Sequence, residues 1–341
     1  MRTLLKRFIS EIVLRSGLTD LYARRTPGVR ILTYHRVGKD PYPGRPLRDL
    51  YVSPVAFERQ IAFLRCRYEL LALSELRRRM REGHPLPANG VVVTFDDGYQ
   101  DNYVHAFPVL RQHSVPATIF LATDFIGTNR RFWWEELAAR VAATQGQVHV
   151  KMAGLTESYD LDVPGARRQL FMDVVNRAVN MPPVTRGALL EDLREALGDT
   201  ESAPGVGGSV MLSWDEVREM AGQGIEFGGH TASHVVLTAL PDRQAREEVV
   251  ACKEAIEAAL GQPCRSFAYP NEASSATVVR MVREAGYEVA CVGGGKPNRL
   301  GPKSDWWRLQ RIPVSDVGGW AVFRNRVAGL YPLLTARPVR S

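Results

Sequence analysis

A chain of 341 residues with 45% apolar and 24% charged residues can bury a sizeable core, and that composition excludes a mainly disordered or fibrous protein. The formal charge of +7 suits an anionic partner, whether a membrane face, an acidic polymer or nucleic acid, without choosing among them. Four cysteines, Cys66, Cys252, Cys264 and Cys291, are scattered with no CxxC pair, so buried free thiols are expected rather than a disulfide framework or a thiolate zinc site.

Residues 1–25 place Leu5, Ile9, Ile12 and Val13 at helical spacing among Arg2, Lys6, Arg7 and Arg15. Glu11 and Arg15 interrupt the apolar stretch that a secretory signal needs. The segment therefore reads as a retained amphipathic helix, with two uses open: docking its apolar face on the body, or lying on an anionic membrane surface. The expected location is cytoplasmic, with peripheral contact at the inner membrane face through residues 1–25.

Beyond Pro27-Gly28 the chain alternates strands and helices. Val29–Tyr34 reads as a buried strand, and Ser53-Pro54 opens a helix carrying Phe57, Ile61 and Leu64 on one face. A second helix runs from about Ser74 to Gly83. The strand Val91–Phe95 leads directly into Asp96-Asp97-Gly98, a helix follows to about His113, and Ala117–Leu121 is the next strand. Ser213 and Glu216 form a capping box for a helix ending near Gly222. Ile225–Phe227, Ser266–Tyr269 and Glu288–Val292 read as further strands, and Asp242–Leu260 and Ser275–Ala285 as helices closed by Gly261 and Gly286. Apolar strands separated by helices imply a parallel sheet covered by helices, closed into a barrel or spread as a doubly wound sheet. Residues 128–209 break the rhythm. They predict helices over Phe132–Ala143, Ala166–Val179 and Thr185–Leu197, and they close with the flexible run Pro204–Gly208. Phe132-Trp133-Trp134 opens this segment, either as core or as a sugar-stacking platform.

The chemistry-bearing residues cluster at strand ends. Asp96-Asp97 places two carboxylates side by side, which is costly to bury without a cation, although Asp97-Gly98 is also a common turn dipeptide. His230 and His234 stand at i, i+4; on a helical turn both imidazoles would face one metal ion, and two histidines with a carboxylate form a common divalent-metal set. Arg265 precedes a strand, from where it can aim a bidentate fork at a carboxylate. His35 ends the first strand and is a candidate acid or base.

In this order, TFDDG (Thr94–Gly98), HTASH (His230–His234) and RSFAYP (Arg265–Pro270) resemble the polysaccharide deacetylase family, the NodB-homology group of carbohydrate esterases. The resemblance covers roughly residues 29–127 and 210–315. It implies a distorted (β/α) barrel with a mainly helical insertion, a divalent metal ion, most often zinc, and removal of acetyl groups from N-acetylglucosamine-type sugars. It assigns Asp97, His230 and His234 as metal ligands, Asp96 as general base, Arg265 as the residue that orients Asp96, and the backbone N–H of Tyr269 as an oxyanion donor. The implied organisation is a helix and linker over 1–28, a deacetylase domain over 29–325 interrupted at about 128–209, and a tail over 326–341.

Two departures stand out. Family members supply the leaving-group proton from a Leu-x-His motif near the domain end, whereas Leu309–Pro313 here contains no histidine. Leu32–His35 resembles the permuted arrangement of some exopolysaccharide deacetylases and makes His35 the expected general acid. Glu272 follows Pro270-Asn271 where relatives often carry glycine, which bears on the substrate rather than on the reaction. The expected partner is an N-acetylated polysaccharide, oligosaccharide or lipid-linked sugar. A catalytically silent carbohydrate-binding protein on the same fold is the competing reading. Nucleic-acid binding is not expected, because no recognised module accompanies the charge.

Overall fold

The computed structural model describes residues 2–42, 44, 46–152, 155–198, 210–301 and 303–335. Seven parallel strands close into a barrel: β1 (Arg30–Tyr34), β2 (Gly90–Phe95), β3 (Ala117–Leu121), β4 (Glu226–Gly229), β5 (Ser266–Ala268), β6 (Val289–Gly293) and β7 (Leu309–Pro313). They pair in sequence order, and β1 seals the ring by pairing with both β2 and β7, with Arg30 opposite Val91 and Ile31 opposite Arg311. A two-residue strand, Glu69–Leu70, adds to the outer edge of β2. β1, β2 and β3 are buried at every position, as strands covered on both faces must be, which explains why apolar residues dominate them.

The helices fall where periodicity and caps place them. Pro54–Arg67 buries Phe57, Ile61 and Leu64, and Asp242–Leu260 ends on Gly261 in the left-handed conformation. The capping box forms in full: the Ser213 hydroxyl accepts from the Glu216 N–H, and the Glu216 carboxylate accepts from the Ser213 N–H at 2.7 Å. β7 is the strand that the sequence pattern hides. Leu309-Gln-Arg-Ile-Pro is too short and too polar to announce itself, yet Leu309, Arg311 and Ile312 are buried.

The chain leaves the barrel after Gly127 and returns at Leu212, where the Gly127 N–H donates to the Leu212 carbonyl at 2.8 Å. Between these points lie the helices Trp133–Ala143, Ala166–Ala178 and Pro183–Leu197. An antiparallel hairpin, Gln147–Met152 with Leu155–Asp160, joins them; its first strand alternates exposed and buried residues, a period-two signal inside a segment expected to be mainly helical. Leu137, Val141, Val150, Leu170, Val174 and Leu193 pack into a core separate from that of the barrel. The run Pro204–Gly208 lies outside the described residues.

Arg36 joins the two parts. Its guanidinium bonds Asp101 at 2.7 Å and the insertion's Glu135 at 2.8 Å, and it lies over the rings of Tyr51 and Tyr99.

The N-terminal segment forms two helices, Arg2–Arg15 and Leu18–Arg25, against the helix Gly319–Val327. The contact is partly polar. Asn325 bonds the Ser10 carbonyl and the Thr19 hydroxyl, and Arg324 pairs with Asp20. Ile9 and Val13 are half-buried, but Ile12, expected on the docked face, is exposed together with Phe8, Leu18 and Leu21. Of the cysteines, Cys66 is exposed rather than buried. The other three are buried, and burial pushes their thiols up to about 12.

Candidate active site

β2 ends because Asp97 adopts φ 77° and Gly98 φ 84°, a left-handed reversal that glycine tolerates freely and aspartate better than most residues. A side chain at Gly98 would also come within 2.7 Å of Ile126 and 2.8 Å of Leu121. The reversal gives the two adjacent carboxylates different surroundings: Asp96 meets an arginine, and Asp97 meets the two histidines.

Asp96 receives a bidentate fork, but from Arg311 of β7 rather than from Arg265. Arg311 Nη1 and Nη2 lie 2.6 and 2.7 Å from the two Asp96 oxygens, and both side chains are buried. Arg265 lies at the start of β5, half exposed, and pairs with Glu288. Its position outside the barrel core corrects the expectation that it orients Asp96. The sequence carried a usable signal here, since an arginine inside a strand with buried neighbours requires a buried anion. Burial works to raise the Asp96 carboxyl, but the charge and hydrogen bonds of Arg311 hold it well below the usual carboxylate range.

His230 and His234 follow β4 on an irregular bend, not on the helical turn that i, i+4 spacing suggested. Thr231 and His234 take φ values of 65° and 55°. Residues Gly228 and Gly229 let neighbouring side chains close in, for a Cβ at either would come within 2.7 Å of Phe120 or 2.4 Å of the Tyr287 hydroxyl. The bend is anchored by Glu248, which accepts from the Ser233 N–H at 2.8 Å and the Ser233 hydroxyl at 2.6 Å. The two imidazole centroids still lie 4.8 Å apart.

Asp97 Oδ1 sits 3.6 Å from His230 Nε2 and 3.1 Å from His234 Nε2. It is buried and receives no well-directed hydrogen bond, and one ligand atom from each residue falls within 4.8 Å of the others. His230 Nδ1 lies 2.7 Å from the Ala268 carbonyl oxygen. A carbonyl only accepts, so this partner assigns the proton to Nδ1 and turns the Nε2 lone pair toward Asp97. Burial lowers His230 to about 4, which keeps its ring neutral and able to ligate at neutral pH. An orphaned carboxylate oxygen facing two imidazoles is a donor set that fits a divalent cation.

A cavity of about 420 Å³ opens over these groups. His35 lines it, half-buried at the end of β1, and its backbone carbonyl accepts from Asn102. Tyr269 lines it too, but its backbone N–H donates to the Cys291 carbonyl at 3.1 Å. That ladder bond occupies the N–H expected to hold an oxyanion, and corrects the assignment. Pro270 carries no N–H, and Asn271 and Glu272 take left-handed backbone. Glu272 reaches the cavity with its carboxylate against the Cα of Gly293, a place that only glycine leaves open.

The aromatic triplet divides between its two expected uses. Phe132 is buried, with its ring centroid 5.1 Å from that of His234, whereas Trp133 and Trp134 are half-buried and line the cavity.

Comparisons with known proteins agree with this geometry. A family model described as polysaccharide deacetylase matches residues 83–160 and 187–290. Among curated proteins, the chain is 41% identical over 71 residues to a poly-beta-1,6-N-acetyl-D-glucosamine N-deacetylase of Escherichia coli, a match covering 20% of this chain and 11% of the relative. A protein of the same description from Staphylococcus epidermidis is 35% identical over 107 residues, covering 28% and 37%. The chain thus spans little more than a third of these relatives at most. Among solved structures, IcaB from Ammonifex degensii aligns with a TM-score of 0.56 at 20% identity, covering 89% of this chain and 97% of that one. PplD from Streptococcus pyogenes gives 0.56 at 18%, covering 85% and 94%. At these identities the structures speak for the fold.

Proposed function

Because the chain belongs to the polysaccharide deacetylase family, we propose that it hydrolyses the N-acetyl amide of an N-acetylglucosamine-type sugar, in exopolysaccharide or cell-envelope glycan metabolism. The observation that carries this reading is the division of labour at the strand ends: Asp97, His230 and His234 converge as one ligand set, while Asp96, 3.9 Å from His230 Nε2, has both oxygens taken by the Arg311 fork. A carbohydrate-binding module needs neither a separate base nor a buried fork to hold it. The names of the Escherichia coli and Staphylococcus epidermidis relatives support the same substrate chemistry.

Asp97, His230 and His234 would hold the divalent ion, for which zinc suits two imidazoles and a carboxylate. When bound, such an ion supplies Lewis-acid polarisation of the acetyl carbonyl and makes water acidic enough to react at neutral pH. The chain's own residues perform the remaining steps. Asp96, ionised because Arg311 holds it so, accepts the proton of the attacking water. Arg311 occupies both carboxylate oxygens and fixes their plane, leaving their remaining lone pairs to face the cavity. His35, in the cavity lining, gives the proton that the departing amine needs. Trp133 and Trp134 form the wall that restricts water at the reacting carbon.

The test is acetate release from N-acetylglucosamine substrates together with metal content. Asp96→Asn is expected to lower the rate by about 10²–10⁴-fold while the metal stays bound. An Asp96→Asn variant of undiminished activity would overturn the mechanism.

A further inference from the structure

The cavity has two unlike sides. The barrel contributes His35, Asp96, Asp97, His230, His234 and Arg311, all capable of polar contact. The opposite side, from residues 46–50 and the helix Ala166–Ala178 with its following residue, contributes Leu50, Phe171, Met172, Val175 and Val179, and one carboxylate, Asp49, which is already paired with Arg168. Met172, Val175 and Val179 recur at three- and four-residue intervals, so they form one stripe, and each remains partly open to the cavity. Trp134 Nε1 already donates to the Tyr99 hydroxyl at 3.3 Å.

A polymer of sugars would meet the stripe of Met172, Val175 and Val179 badly. Sugar hydroxyls lose water on entering a site and need hydrogen-bond partners in exchange, and methyl, thioether and aliphatic groups offer none. Hydrocarbon meets it well, since each methylene withdrawn from water against such a wall gains binding energy. A second observation points the same way. Phe8 and Ile12, one turn apart, and Leu18 and Leu21 on the next helix are 65%, 51%, 52% and 45% exposed. Arg7, Arg15, Arg24 and Arg25 are exposed on the same two helices. Large apolar side chains flanked by arginine match an anionic bilayer surface, where a lipid-borne sugar would be found.

We infer that the substrate sugar is carried on a hydrocarbon chain: the sugar sits over Asp96, Asp97 and the histidines, and the lipid leaves along the wall of Met172, Val175 and Val179. This rests on the deacetylase reading above and names the substrate class for it. The recognition is of the aglycone, not of a longer acyl group on nitrogen.

The experiment compares acetate release from octyl and methyl β-glycosides of N-acetylglucosamine, from N-acetylglucosamine oligomers, and acyl release from N-octanoylglucosamine. The octyl glycoside is expected to exceed the methyl glycoside in kcat/KM by about tenfold or more, with the gain in KM. The double variant Met172→Gln, Val175→Thr should bring the octyl-to-methyl ratio toward one, a ratio that does not depend on how much of the variant folds. An octyl-to-methyl ratio near one, oligomers preferred over the octyl glycoside, or a gain confined to N-octanoylglucosamine would each overturn the inference while leaving the hydrolase reading intact. No release from any substrate by metal-loaded protein would overturn both.

Discussion

The barrel side and the insertion side of the cleft are built by opposite rules. On the barrel side, polar groups sit at strand ends and are held by specific partners: Asp96 by Arg311, His230 by the Ala268 carbonyl, the histidine bend by Glu248. On the insertion side, a helix packed on its own small core presents Met172 and Val175, whose placement depends on Leu170, Val174 and Leu193 beneath them. A group that moves a proton must be fixed to within a fraction of an ångström, which takes directional bonds. A wall that accepts hydrocarbon needs only apolar area and shape. Substitutions on the two sides should therefore fail differently.

The largest contrast is between Arg311, which the sequence did not single out, and Arg265, which it did. Arg311→Ala leaves Asp96 buried beside no cation, which should cost about 3–5 kcal/mol of stability and lower acetate release by at least about 10²-fold, because Asp96, the proposed base, loses both its charge partner and its orientation. Arg265→Ala removes a half-exposed pair with Glu288 and should cost less than about 1 kcal/mol, with activity retained. Urea unfolding and acetate release on the two variants decide it. Equal losses at both positions would mean that Asp96 is not governed by the Arg311 fork.

Arg36 joins the two sides, and its removal tests whether they depend on each other. Arg36→Met keeps much of the stem but strands Asp101 and the buried Glu135, for about 3–5 kcal/mol. Stability should fall while kcat on a soluble substrate stays within a few-fold in the folded fraction, as expected for a residue with no contact to the reacting groups.

How much of this was legible in the residues follows from the range of the interactions. β2 and the Asp-Asp turn are local: an apolar run, then carboxylates, then glycine. The His230/His234 pair was legible in type and spacing but not in conformation, because two left-handed residues replaced the helical turn. Arg311 was missed because its meaning lies 215 positions away, in a carboxylate that only barrel closure brings to it. The Tyr269 N–H was misassigned for a related reason. Whether a backbone donor is free depends on the neighbouring strand, here the Cys291 carbonyl of β6. The hairpin at residues 147–160 was hidden by the helices around it.

The acid side of the stability profile should belong to the barrel. An unfolded histidine takes up its proton near 6.5, whereas folded His230 does so only at about 4. The unfolded chain therefore binds the extra proton between these values. The stability that His230 contributes is complete above pH 6.5 and is lost as pH falls toward 4, by about 3 kcal/mol. Metal-free protein, unfolded by urea across this range, should show that loss. His230→Gln should flatten it, while a substitution on the insertion wall such as Val175→Thr should leave the slope as it was.

The smallest effect concerns the support beneath the histidine bend. Glu248 receives two hydrogen bonds from Ser233, one from its backbone N–H and one from its hydroxyl, and nothing in the HTASH motif announces this partner, which lies on the helix Asp242–Leu260. Being half-buried and charged, it should contribute about 1–2 kcal/mol. Its loss should matter more to ligand geometry than to folding, because Thr231 and His234 are held in left-handed backbone that relaxes once the anchor is gone. Glu248→Ala is expected to lower Tm slightly and to weaken retention of an added divalent metal ion by about tenfold, read from competition with a chelator. Glu248→Gln, which keeps an oxygen for one of the two donors, should recover part of the metal affinity. An unchanged chelator titration in Glu248→Ala would show that the bend holds its shape without this support, and that the barrel side is less dependent on directional bonds than the contrast with the insertion implies.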